Sequence, residues 1–170
     1  MPEPVVHLHL HTEFSILDGT VRIPQLMERC TQLGMPAVAL TDQGNLFALI
    51  KFYKQALNAG IKPIIGVELQ VHDPEDNDRP FGLVLLCQDR QGYRNLSRLV
   101  TRSYTEGQYR GVARVHPEWI TEESAAGLIC LSGARTGDVS RAIVAGQQEL
   151  AAQRVKGWQA RFGDRFYLEV

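Results

Sequence analysis

Residues 7–19, His7-Leu8-His9-Leu10-His11-Thr12-Glu13-Phe14-Ser15-Ile16-Leu17-Asp18-Gly19, decide how the chain is read. They continue the apolar Val5-Val6, and Val5 to Leu10 reads as a first strand. Side chains alternate faces along a strand, so residues two apart point the same way. His9 and His11 are therefore expected to project together from the strand's carboxyl end, where α/β proteins place their chemistry. Imidazole is the commonest neutral metal ligand, and two on one strand face make half of a zinc-type site. An H-x-H pair alone lines a polar strand end equally well, so the rest of the chain must supply the other ligands.

Outward from this stretch, apolar runs and helical patterns alternate. Ile23, Leu26, Met27, Cys30 and Leu33 recur at helical spacing, and Gly34 follows as a stop. Pro36 to Thr41 reads as a second, fully buried strand. Asn45 is placed to cap a helix through Leu46, Leu49, Ile50, Tyr53 and Leu57 to Gly60. Ile61 to Val71 is a third strand, residues 72–80 a polar turn, and Phe81 to Cys87 a fourth strand. Gly92 to Tyr104 is a helix with Leu96, Leu99 and Val100 on one face, and a loop with Gly107 and Gly111 runs to Arg114. A short helix follows Pro117, and Gly127 to Ser132 is a fifth strand. Helices span Thr136 to Ala145 and Gln147 to Phe162, and Phe166 to Val170 opens a sixth strand. This alternation predicts an α/β fold, a parallel sheet or barrel covered by helices. A bare final strand is expected of a piece of a longer protein.

The 170 residues suffice for one domain with a core, and 44% apolar and 22% charged residues are ordinary for a soluble protein. A net charge of −1 gives no bulk electrostatic reason to bind nucleic acid or a membrane, although a local basic patch stays open. Cys30, Cys87 and Cys130 are widely spaced in apolar surroundings and read as reduced cytosolic thiols. No signal peptide is visible and no apolar run approaches the ~18 residues of a membrane span, so a cytoplasmic location is expected.

The predicted strand ends bring further ligand types: Asp18 beyond the first strand, Thr41-Asp42-Gln43 after the second, and Glu68 in the third. Two histidines, two aspartates and a glutamate on one rim could hold one or two divalent metals and activate water for phosphoester hydrolysis. Each residue also has a plainer reading. Asp18-Gly19 is a turn signal, and Asp42 is placed to brace the loop before Asn45. Glu68 is harder to set aside, because a carboxylate beside Gly66 must be solvated or paired. His72 and His116 lie in polar segments and are expected to be exposed. Arg94, Arg98 and Arg102 form one stripe at four-residue spacing, with Arg110 and Arg114 beyond; a solvated helix face is favoured over one turned toward DNA or another domain. Phe52, Tyr53, Tyr93 and Tyr104 are expected mostly in the core.

The stretches 7–19, 35–68 (MPAVALTDQGNLFALIKFYKQALNAGIKPIIGVE), 92–104 (GYRNLSRLVTRSY), 127–139 (GLICLSGARTGDV) and 164–170 (DRFYLEV) resemble, in collinear order, the PHP (polymerase and histidinol phosphatase) domains. The resemblance is closer to those at the N-terminus of bacterial DNA polymerase III alpha subunits. It implies a PHP-type distorted (β/α)7 barrel, here truncated to about the first six strands, with residues 1–170 as a single PHP domain. Carried over by position, the metal ligands fall on His9, His11, Asp18 and Glu68. The family's TDH histidine falls on Gln43, its fourth-strand histidine on Gly82 and its LSGC cysteine on Ala134, none of them a good ligand. Further family ligands would lie beyond Val170.

The resemblance thus implies a degraded site, with residual zinc or manganese at low occupancy. The parent would be a DNA-directed DNA polymerase whose magnesium-binding catalytic aspartates lie outside these residues. The domain itself would be a structural scaffold that docks the proofreading exonuclease subunit among the other polymerase III holoenzyme subunits, and meets DNA through the parent. Its open edge implies either self-association through that edge or a rearrangement of the last helices to cover it. A working metal-dependent phosphoesterase or 3′–5′ exonuclease is the alternative, and a free-standing histidinol-phosphatase-like enzyme a weaker one.

Overall fold

The computed structural model describes residues 5–16 and 18–169. The chain divides into two compact units, Met1–Val67 and Glu68–Val170, with the division inside one strand.

In the first unit, helix α1 (Ile23–Gln32) buries Ile23, Leu26, Met27 and Cys30, the i, i+3, i+4, i+7 face expected from the sequence. Pro24 stands in its first turn, and Gly34 at φ 65° takes the left-handed conformation that ends it. Strand β1 (Ala37–Leu40) is buried on both faces. Helix α2 (Leu49–Asn58) buries Phe52 and Ala56. Asn45 is not its cap. The Asn45 side chain accepts from Phe47 N at 3.0 Å and donates to Phe14 O and Gln43 O, closing a turn ahead of the helix. Strand β2 (Lys62–Val71) pairs in parallel with β1, Ala37 opposite Lys62 and Leu40 opposite Ile65. Ile23, Leu26, Met27, Val38, Leu40, Phe52 and Ile61 form the core, with Leu10, Phe14 and Ile65 packed against it.

The leading segment is not the regular strand expected for Val5 to Leu10. Ala39 N donates to His7 O and Thr41 N to Leu10 O, so two steps along β1 match three along the leader. The extra residue is that of a β-bulge, and residues 8 and 9 bend. The Thr41 hydroxyl accepts from Leu10 N at 2.7 Å and donates to Leu10 O, pinning the segment after the bend.

In the second unit, β2 is followed by β3 (Phe81–Cys87). Helix α3 (Arg90–Thr105) is capped by Asp89, whose carboxylate accepts from Gly92 N at 2.9 Å. Its Gly92 packs directly on residue 127, where an added Cβ would stand 1.8 Å from Gly127 O. The expected loop to Arg114 contains a small hairpin, β4 (Gln108–Tyr109) and β5 (Val112–Ala113). Its two turn residues, Arg110 and Gly111, both have positive φ, as a tight hairpin requires. Strand β6 (Leu128–Leu131) lies antiparallel to β3, so the sheet is mixed rather than wholly parallel. The cause is the excursion over 106–127. It pairs Val115 with Val71 and carries the chain back along the sheet, so β6 starts opposite the end of β3. Helices α4 (Asp138–Val144) and α5 (Gln148–Phe162) follow, and β7 (Phe166–Tyr167) pairs in parallel with β6. The strands of this unit adjoin in the order β2-β3-β6-β7.

Several surface expectations change. Phe52 is buried, but Tyr53, Tyr93 and Tyr104 are exposed. His72 and His116 are half-buried and face one another with ring centroids 4.8 Å apart, and His116 also meets Trp119. Arg114 is buried and donates to Asn77 O. The three cysteines are free; burial pushes their thiols up, that of Cys87 to about 12, which leaves little thiolate. No described helix is long and apolar enough to cross a membrane.

Asp138 at the start of α4 is a buried acid of this unit. It accepts from Trp158 Nε1 at 3.0 Å and from Val139 N at 2.8 Å, with Arg154 Nη1 at 3.5 Å. Burial holds its carboxyl above the ordinary carboxylate range, against the opposing pull of the Trp158 bond and the Arg154 charge. Ionising it therefore costs more in the folded chain than in the unfolded one. Its contribution to stability is full below the unfolded value, falls as pH rises through the folded value, and is constant above. An Asp138→Asn variant is expected to gain in unfolding midpoint relative to the unsubstituted chain as pH rises above the unfolded carboxylate value. A pH-independent difference between the two midpoints would refute this.

Candidate metal centre

The loop after the leading segment is built on Asp42, which follows β1 and is 1% exposed. One carboxylate oxygen accepts from Thr12 N at 2.6 Å and from Ser15 Oγ at 2.9 Å, and the other from Thr12 Oγ1 at 2.8 Å. Thr12 in turn caps the short 3-10 turn Glu13–Ser15. Gly19 closes the loop, where a Cβ would fall 1.7 Å from Thr12 O. Ile16 is held at φ 67°, a conformation that a β-branched residue adopts only under constraint. Asp42 is therefore the brace of the histidine loop, rather than of the loop before Asn45 that the sequence suggested.

His9 and His11 come together despite the bulge, their rings edge to face at 5.3 Å. Their ligand nitrogens and a carboxylate oxygen of Glu68, on β2, all lie within 4.8 Å of one another. Glu68 is 3% exposed and the histidines are half-buried. Asp18 stands behind this group rather than in it, with its Oδ2 2.9 Å from His11 Nδ1. A carboxylate on the rear nitrogen orients a metal-binding imidazole and presents the other nitrogen forward. Two imidazoles and a carboxylate suit a divalent zinc- or manganese-type ion with coordination left open.

The three remaining expected positions offer no ligand. Gln43 is engaged through its backbone, its N–H donating to Ser15 Oγ and its carbonyl accepting from Asn45. Ala134 opens a 3-10 turn (Ala134–Thr136) at φ 43°, directly after Gly133 at φ 75°. That turn aims Thr136 at Gly82. A Cβ on Gly82 would stand 2.2 Å from Thr136 Oγ1 and 2.6 Å from Glu68 Oε1. The Thr136 hydroxyl lies 3.2 Å from Glu68 Oε1 and 2.8 Å from Gly133 O, sharing its one proton between them. Thr136 thus fills the space beside the glutamate that a side chain at 82 would use. Sequence reasoning missed Thr136, because only the turn after β6 places it there.

The fold and this centre define the class: the chain matches the PHP domain model over residues 7–170 and belongs to that family. It is 46% identical to the DNA polymerase III subunit alpha of Pseudomonas fluorescens, over 100% of this chain and 14% of that protein. The corresponding Escherichia coli K12 subunit is 37% identical, over 100% of this chain and 15% of its own. The chain therefore spans about a seventh of the length of these curated relatives. Among solved structures, a Bifidobacterium adolescentis protein assigned as a metal-dependent phosphoesterase superposes with a TM-score of 0.60. That match covers 98% of this chain and 87% of the other at 12% identity, a likeness of fold.

Proposed function

We propose that residues 1–170 are the N-terminal PHP domain of the alpha subunit of a bacterial replicative DNA polymerase, acting as a scaffold that docks the proofreading exonuclease subunit. The observation that carries this is the 46% identity to a DNA polymerase III subunit alpha along the whole chain. The parent would copy DNA from deoxynucleoside triphosphates in the cytoplasm, using magnesium bound outside these residues. The scaffold role is supported by Gln43, Gly82 and Ala134, and by Thr136 occupying the space beside Glu68.

The grouping of His9, His11 and Glu68, with Asp18 behind His11, favours one residual metal position over none. Zinc or manganese bound there would keep an open position able to polarise water. His9 and His11 would ligate through nitrogen, Glu68 would balance the charge, and Asp18 would orient His11. A second reading, a working phosphoesterase or 3′–5′ exonuclease, rests on the same residues.

Elemental analysis and zinc and manganese titration of the chain and its His9→Ala/His11→Ala variant test this. Weak binding that the double substitution removes is expected, with primer extension and exonuclease-subunit binding by the full-length protein unchanged. Metal-dependent phosphodiester cleavage lost in the double variant would replace the scaffold reading with the catalytic one. A full-length protein unable to extend primers would overturn the polymerase assignment.

A further inference from the structure

Helix α3 carries an outward face unlike any other in the chain. Its sequence, RQGYRNLSRLVTRSYT, contains four arginines and no acid. Arg90, Arg94, Arg98 and Arg102 are all exposed and recur every four residues, about 6 Å apart along the axis. Like charges at this spacing repel, and Arg90 and Arg94 also sit at the positive end of the helix dipole. The local electrostatics thus oppose the arrangement, which marks it for a purpose other than folding.

Little nearby charge offsets it. Among the described residues, Arg102 alone of the four is in an ion pair, 2.7 Å from Glu106, and its guanidinium lies 4.0 Å from the Trp119 ring centroid. Asp89 is engaged in capping the helix. Glu123 lines the groove beside Arg98 and Arg102. Beside the arginines, half-buried Ser97 and exposed Thr101 and Thr105 donate their hydroxyls to carbonyls one turn back, and exposed Gln91 donates to Asn95 Oδ1. The free donors of this face are therefore guanidinium groups. The exposed Tyr93 and Tyr104 flank the row.

We propose that this face of α3 contacts the phosphate backbone of DNA. A regular row of guanidinium groups, with the exposed Tyr93 and Tyr104 confined to its flanks, matches a repeating line of phosphates better than an acidic protein surface. Protein interfaces concentrate their energy on buried anchors, whereas phosphate contacts come from arginine rows. The choice of DNA as the polyanion rests on the polymerase reading above. The contact is independent of sequence, and it positions the duplex or its single-stranded extension rather than reading bases.

The experiment uses the full-length protein and measures DNA affinity against salt concentration, with duplex and single-stranded oligonucleotides in separate arms. Replacing Arg90, Arg94 and Arg98 by glutamine is expected to weaken binding about tenfold or more, equally across sequences. The slope of log affinity against log salt should become shallower by about 2.7 on duplex and about 2 on single strands. Lysine at the three positions should restore most of the slope. An Arg29→Gln/Lys54→Gln/Lys62→Gln variant, which removes equal charge elsewhere, should leave it unchanged. Matching circular dichroism confirms that each variant is folded. Intact primer extension with an unchanged salt slope would overturn this proposal alone, as would loss of exonuclease-subunit binding with DNA affinity unaltered. An unsubstituted protein that neither extends primers nor binds DNA would overturn both.

Discussion

Asp42→Ala is expected to destabilise the chain by about 3 to 4 kcal/mol, close to the upper end for a single substitution. The carboxylate serves Thr12 N, Thr12 Oγ1 and Ser15 Oγ from a position 1% exposed. Hydrogen bonds to a charged acceptor each contribute about 1.5 to 3 kcal/mol, and their sum is not additive. Alanine would also leave a buried backbone N–H and two hydroxyls without their acceptor. Asparagine would keep the shape but present an amide N–H to one of these donors, so Asp42→Asn should lie between alanine and the native residue. Urea unfolding measures both. Because Thr12 follows His11 directly, metal binding should fall along with stability. A loss below about 1 kcal/mol for alanine would show that the loop finds other support.

Gly82→His, which would return an imidazole to a strand end beside Glu68, is expected to fail as a single change. The first added carbon already overlaps Thr136 Oγ1 at 2.2 Å and Glu68 Oε1 at 2.6 Å. Forcing it in should cost about 2 to 3 kcal/mol, as overpacking of a filled interior does. Thr136→Gly in the same chain removes the obstructing side chain and frees Glu68 Oε1. The pair should recover at least half of the lost stability, and the two substitutions should be strongly non-additive because they share one space. The double variant should also bind zinc more tightly than the unsubstituted chain, since it adds a third imidazole to two imidazoles and a carboxylate. Equal destabilisation by Gly82→His with and without Thr136 would show that something other than this contact excludes the ring.

Much of the architecture was legible because local pattern and tertiary role agree. The apolar spacing of α1, the buried run of β1 and the glycine ending α1 each follow from short-range rules that packing did not override. His9 and His11 were also legible as a pair. The regular strand expected to carry them was not found, because one extra residue against β1 breaks the ladder. Tyr53, Tyr93 and Tyr104 were misjudged for a different reason: helical spacing locates a residue on a face, but not what covers that face. The antiparallel entry of β6 was illegible too. It depends on the whole excursion between 106 and 127, and no local signal states where that segment turns back.

For the candidate centre, the chain by itself determined the residue types: two imidazoles two residues apart and a carboxylate close to a strand glycine, with Gln43, Gly82 and Ala134 at the positions that the family resemblance marks. Only the tertiary structure decided how they are used. It set Asp18 behind His11, made Asp42 the anchor of a loop 30 residues away, and brought Thr136 across 68 residues to Glu68. The physical reason is that side-chain chemistry and backbone propensity are properties of a residue and its near neighbours. Occupancy of a given space is settled by close packing among segments far apart in the chain.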